Sequence, residues 1–156
     1  MLPEHRDIQT WIYNKYKTQF NVLVEIAGQN CLPDKRRHWY QPDVILKSLG
    51  DPNDIRYIIE VENDPTRKAI VGACLLADCS LAEMQTATAG LIFVVYSENG
   101  KHQINNFREK VKVIKDRCPR LSSICVVTDE DFKRGKGFEL AICKKKVATL
   151  GEHRAR

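Results

Sequence analysis

Residues 89–97, AGLIFVVYS, hold six apolar side chains in unbroken succession, from Leu91 to Tyr96. Successive side chains of a strand point to opposite faces. A strand apolar at every position must therefore be covered on both sides, which requires a central place in a sheet with helices above and below it. SSICVVTDE (122–130) reads as a second buried strand. Between the two, Ile104, Phe107, Val111, Ile114 and Cys118 recur at steps of 3, 4, 3 and 4, the spacing of an amphipathic helix over 102–118. Strand, helix and strand in this order predict a parallel crossover of right-handed sense.

The earlier half has a different rhythm. Segment 4–19 places Ile8, Trp11, Ile12 and Tyr16 on one helical face, and NVLVEIA (21–27) is β-favouring. PDVILKS (42–48) predicts a short strand, LGDPND a hairpin connection, and RYIIEVE (56–62) a further strand. A helix then follows NDP, with Asn63 or Asp64 as its cap and Pro65 in its first turn. The stretch TRKAIVGACLLADCSLAEM is apolar on most sides, so this helix is expected to be deeply buried. FELAICKKKVATL fits a last strand or a helix, and residues 151–156 read as a frayed tail. Three sequential strands predict an antiparallel meander ahead of the crossover. The expected fold is α/β, a mixed central sheet flanked by helices, in one domain over residues 1–156.

Composition narrows the setting. No apolar run reaches the roughly 18 residues of a membrane span, and MLPEHRDIQTW lacks the apolar stretch of a secretory signal. A soluble, cytoplasmic protein in a reducing compartment is expected. The six cysteines form no CxxC pair, so they read as small buried hydrophobes rather than a disulfide framework or zinc site. Residues 1–100 carry 10 basic and 13 acidic side chains, residues 101–156 carry 15 and 7. That asymmetry fits a metal site beside a polyanion-binding surface, and it also fits a solvated lysine-rich face.

Glu60 and Glu62 interrupt an otherwise apolar strand. Alternation puts them on one face with Ile58, while Ile59 and Val61 face the other way. Taken alone, Glu-x-Glu reads first as a solvated strand face. Asp43 changes the balance, because a hairpin of 43–48 with 56–62 brings it to the end of the strand that carries the pair. Like charges crowded together are unfavourable unless a cation lies between them, and Mg²⁺ takes oxygen ligands of this kind.

With Pro42-Asp43 and Glu60-Val61-Glu62 a hairpin apart and a helix following, the chain resembles the PD-(D/E)XK nuclease superfamily. The likeness spans roughly residues 4–128 by element order, the restriction-endonuclease-like αβββαβ core. It implies metal-dependent hydrolysis of phosphodiester bonds, in DNA rather than RNA. Asp43 and Glu60 would then bind Mg²⁺ (or Mn²⁺), with the carbonyl of Val61 as a further ligand. Glu62 stands where the family usually has lysine. It would act as general base or second-metal ligand, or else mark a catalytically inactive module that binds nucleic acid or a protein partner. Lys68 is the candidate for a lysine moved to the following helix. Glu4 and Asp7 are candidates for the accessory acid of the first helix, and Glu25 is a further acidic candidate.

Lys35, Arg36, Arg37, Trp39 and Tyr40 crowd the loop just before Asp43. Basic side chains hold phosphates and rings stack on bases, so these five are the expected nucleic-acid contacts. KRGKGF (133–138) and Lys144–Lys146 are secondary basic candidates. A homodimer is the expected assembly if two strands are to be cut.

Overall fold

The computed structural model describes residues 3–24, 40–84 and 88–137. Helix α1 (Pro3–Tyr16) leads into β1 (Asn21–Val24), β2 (Val44–Lys47) and β3 (Ile55–Glu62). Then come α2 (Arg67–Glu83), β4 (Ala89–Val95), α3 (Glu98–His102), α4 (Ile104–Lys115), β5 (Leu121–Thr128) and α5 (Asp129–Lys133). The five strands lie in the order β1-β2-β3-β4-β5. Pairing is antiparallel for β1 with β2 and β2 with β3, and parallel for β3 with β4 and β4 with β5. The fold is thus α/β with a mixed sheet flanked by helices, and β2 alone runs against the other four strands.

The layering follows from connection handedness. Both parallel crossovers step the same way along the sheet, so a common right hand puts α2 and α4 on the same face. There Ile58, Leu91, Phe93 and Val95 pack beneath Ile70, Cys74, Leu81, Phe107 and Val111. The opposite face joins Val44, Leu46, Ile59, Val61, Ile92 and Val94 to Ile8, Ile12 and Tyr16 of α1 and Phe132 of α5. All seven residues of β4 are buried, as the uninterrupted apolar run requires.

Several local expectations are corrected. The cap of α2 is Thr66, not Asn63 or Asp64: its extended backbone lets Oγ1 accept from the Ala69 N–H at 3.1 Å. Pro65 therefore precedes the cap. Helix α2 buries only the face of Ile70, Cys74, Ala77, Ser80 and Leu81, because it covers the sheet from one side. Its Cys79 is exposed, unlike buried Cys74 and Cys118. The helix expected over 102–118 is α4, shorter at both ends, so that Cys118 lies beyond it; the short α3, which the spacing did not predict, precedes it across Gln103. Strand β5 is the last of the described sheet and only partly buried. Cys31, Cys143, Lys144–Lys146 and the tail lie outside the described residues. No described helix is long and apolar enough to cross a membrane.

Candidate functional site

The β2–β3 register brings the carboxylates together. Val44 pairs with Ile59, so Asp43, one residue before β2, stands opposite Glu60. Beyond that point the described pairing of β3 is with β4, through Val61 with Val94 and Glu62 with Val95. The Asp43 side chain takes the place of the missing strand: its Oδ2 accepts the Val61 N–H at 2.7 Å. In return the Asp43 N–H donates to Glu60 Oε2 at 3.4 Å. A backbone donor left without a ladder partner is thus satisfied by a carboxylate, which holds Asp43 in place.

Glu60 faces inward under α2 and is only 8% exposed. Tyr40, itself buried, donates its hydroxyl to Glu60 Oε1 at 2.7 Å. Burial, and after it the charge of Asp43, pushes the Glu60 carboxyl up to about 8, against the opposing pull of the Tyr40 hydrogen bond. Burial and then Asp43 likewise push Glu62 up to about 7, while His5 opposes the shift. Such displacement is expected where carboxylates share a space poor in water.

Helix α1 supplies the other side of the site. His5 Nε2 lies 3.1 Å from Asp43 Oδ1, and Gln9 Nε2 donates to the same oxygen at 3.2 Å. The two are one turn apart, so both project from one helix face. The His5 ring meets Tyr96 edge to face, with centroids 6.1 Å apart. Tyr96 in turn donates its N–H to the Glu62 carbonyl at 3.1 Å, closing the wall on the β4 side.

Not every expected residue arrives here. Asp43, Glu60 and the Val61 backbone meet, with Glu62 beside them. Glu4 is exposed at the rim, near enough for its charge to bear on Tyr96, and Asp7 is exposed on α1. The helix contacts to Asp43 come instead from His5 and Gln9. Lys68 is exposed at the start of α2. It lines an open depression of about 510 Å³ with Asp64, Thr66, Arg67, Asn99 and Gln103, none of them a carboxylate of this site. Tyr40 is corrected: its ring is in the core and its hydroxyl is spent on Glu60, so it offers no face to a base. Glu25, Lys35, Arg36, Arg37 and Trp39 lie outside the described residues. His5 and Gln9 had a signal in the sequence, since Ile8, Ile12 and Tyr16 extended back by one turn arrive at His5. The role of Tyr40 had none, because it depends on how the chain re-enters the sheet.

The donors are hard oxygens suited to Mg²⁺ or Mn²⁺ rather than to soft metals. A carboxylate accepts about four hydrogen bonds or ligands in all. The two contacts above leave Glu60 with acceptor capacity, and the residue types of the site fit such an ion. Among the described residues no group of three or more His, Cys, Asp or Glu side chains stands ready in coordinating geometry, so water would complete any shell. Compared with protein-family models, curated proteins and solved structures, the chain has no match.

Proposed function

We propose that this protein is a metal-dependent endonuclease of the PD-(D/E)XK kind, hydrolysing phosphodiester bonds in DNA rather than RNA. The observation that carries the reading is the meeting of Asp43 and Glu60 at the open end of the β2–β3 hairpin, one carboxylate fixed by the Val61 N–H and the other by Tyr40. The element order from α1 to β4 also supports it, as does the number of carboxyl groups placed where little water reaches.

Asp43 and Glu60 would hold the ion, with the Val61 carbonyl as a third ligand. When bound, Mg²⁺ or Mn²⁺ supplies charge compensation on the phosphate and a more acidic water. Glu62 accepts the proton of the attacking water as its oxygen bonds to phosphorus and the bond to the leaving sugar oxygen breaks. His5 and Gln9 keep the Asp43 carboxylate in one orientation, and Tyr40 does the same for Glu60. The second reading, a module that binds nucleic acid or a protein partner without cutting, is favoured by Glu62 in the place of a lysine and by Lys68 lying in a separate depression.

Purified protein incubated with single-stranded, duplex and branched DNA, with and without Mg²⁺ or Mn²⁺, separates the two. Cleavage is expected only with metal, and Asp43→Ala or Glu60→Ala should slow it by about 100-fold or more while circular dichroism shows a folded chain. Folded variants that cut as fast as the parent would remove these residues from the mechanism. Salt-sensitive binding without turnover would leave the non-cutting module.

A further inference from the structure

We infer that the outward face of α2 is a self-association surface, on which a second copy of this chain lays its own α2 in antiparallel register. This inference does not depend on the nuclease reading. Opposite the buried stripe of α2 runs a second one, Lys68, Gly72, Leu75, Cys79 and Glu83, at steps of 4, 3, 4 and 4, with Leu76 beside it. That spacing keeps one seam along a helix. Leu75 and Leu76, at its middle, are each 41% exposed.

Charge identifies the occupant. A helix favours acids in its first turn and bases in its last, because of its dipole. Helices α1, α3 and α5 each follow that pattern, and α4 has Lys112 and Lys115 in its last turn. Helix α2 alone among the described helices is reversed: Arg67 and Lys68 open it, Glu83 closes it, and neither end has a charge of the favourable sign. A second copy turned about a two-fold axis between Leu75 and Leu76 corrects both ends at once. Lys68 then lies beside Glu83 of the second copy and Leu75 beside its Leu76, with every contact made twice. Parallel pairing would instead set Lys68 against Lys68.

Gly72 is an independent sign. Among the described residues a Cβ built there meets nothing within 4 Å, so their packing does not call for glycine. Glycine inside a helix is nonetheless less favourable than alanine. In the antiparallel register Gly72 lies opposite Cys79, where the missing side chain lets the two backbones approach. Seventeen residues give a seam about 25 Å long. One helix pair buries less than the roughly 800 Å² per partner of a standard interface, so the dimer should be weak and concentration-dependent.

Analytical ultracentrifugation of the full chain from about 5 to 200 µM, a range suited to a weak interface, tests this. The mass should climb from the 17.9 kDa monomer toward twice that value. Gly72→Leu, which enters open space and should fold normally, is expected to stay monomeric, as is Leu75→Glu with Leu76→Glu. Lys68→Glu and Glu83→Lys should each weaken association about tenfold, and their combination should restore it. A parent that remains monomeric throughout would overturn the inference, as would a Gly72→Leu protein that pairs as tightly as the parent or a combined variant that fails to recover. If Lys68→Glu and the combined variant lose duplex-DNA binding alike while mass never changes, the basic end of α2 serves nucleic acid and the inference falls.

Discussion

Glu60 shows how far single residues can be read. That it shares a face with Glu62 follows from strand alternation alone, and that Asp43 approaches it follows from the hairpin. That this face is closed to water does not follow, because burial depends on α2 and on where Tyr40 returns to the sheet. Burial has a measurable consequence. Burial pushes Glu60 up to about 8 and Glu62 up to about 7, both above the ordinary 4.5. Between those values the native state holds more protons than the unfolded chain, so stability is fully present below about pH 4.5 and is lost as pH rises through 7 and 8. Urea unfolding at pH 5.5 and pH 8.0 should show the loss, and Glu60→Gln should flatten it. An unchanged slope in the variant would mean that Glu60 is ionised throughout.

At the scale of elements, periodicity was most informative where one face of a helix or strand met one neighbour. Helix α1 and the Ile104–Val111 face of α4 are of that kind, and β4, apolar throughout, is covered on both faces. The sequence overstates the burial of α2 because its outward face is apolar too, and an apolar pattern does not say which face has a neighbour. Its start was misread. Asp64 accepts from the Asn99 side-chain amide at 3.0 and 3.1 Å rather than capping, and Thr66, two residues on, caps instead. Removing the real cap with Thr66→Ala should cost about 1 kcal/mol, read as a lower urea midpoint with an unchanged slope. Asp64→Ala should leave the helix start intact, and a larger loss there than at Thr66 would contradict the capping assignment.

For the whole molecule, folding and ligand binding meet at one place, since the sheet end that gathers Asp43, Glu60 and Glu62 is also where α1 packs through His5 and Gln9. An ion bound to the native state alone stabilises it by mass action. At about a hundred times its Kd this amounts to about 2.7 kcal/mol, or roughly 5–10 °C in Tm for a chain of this size. Mg²⁺ or Mn²⁺ should therefore raise Tm at pH 8, where Glu62 is largely and Glu60 partly ionised, and should do so far less in Asp43→Ala. No shift with either ion would remove the metal from this site. Taken by itself, the sequence determined the five strands and the helices α1, α2 and α4 of the α/β fold, though not α3 or α5, together with the pairing of Asp43 with the Glu60 strand and the sharing of one face by both glutamates. These rest on alternation, helical spacing and turn residues, which act between neighbours along the chain. The tertiary structure alone decided that Glu60 is buried, that Tyr40 donates a hydrogen bond to it, that His5 and Gln9 reach Asp43, and that α2 keeps an apolar face outward. Each depends on which distant segment comes to rest against a given face, and local pattern carries no record of that.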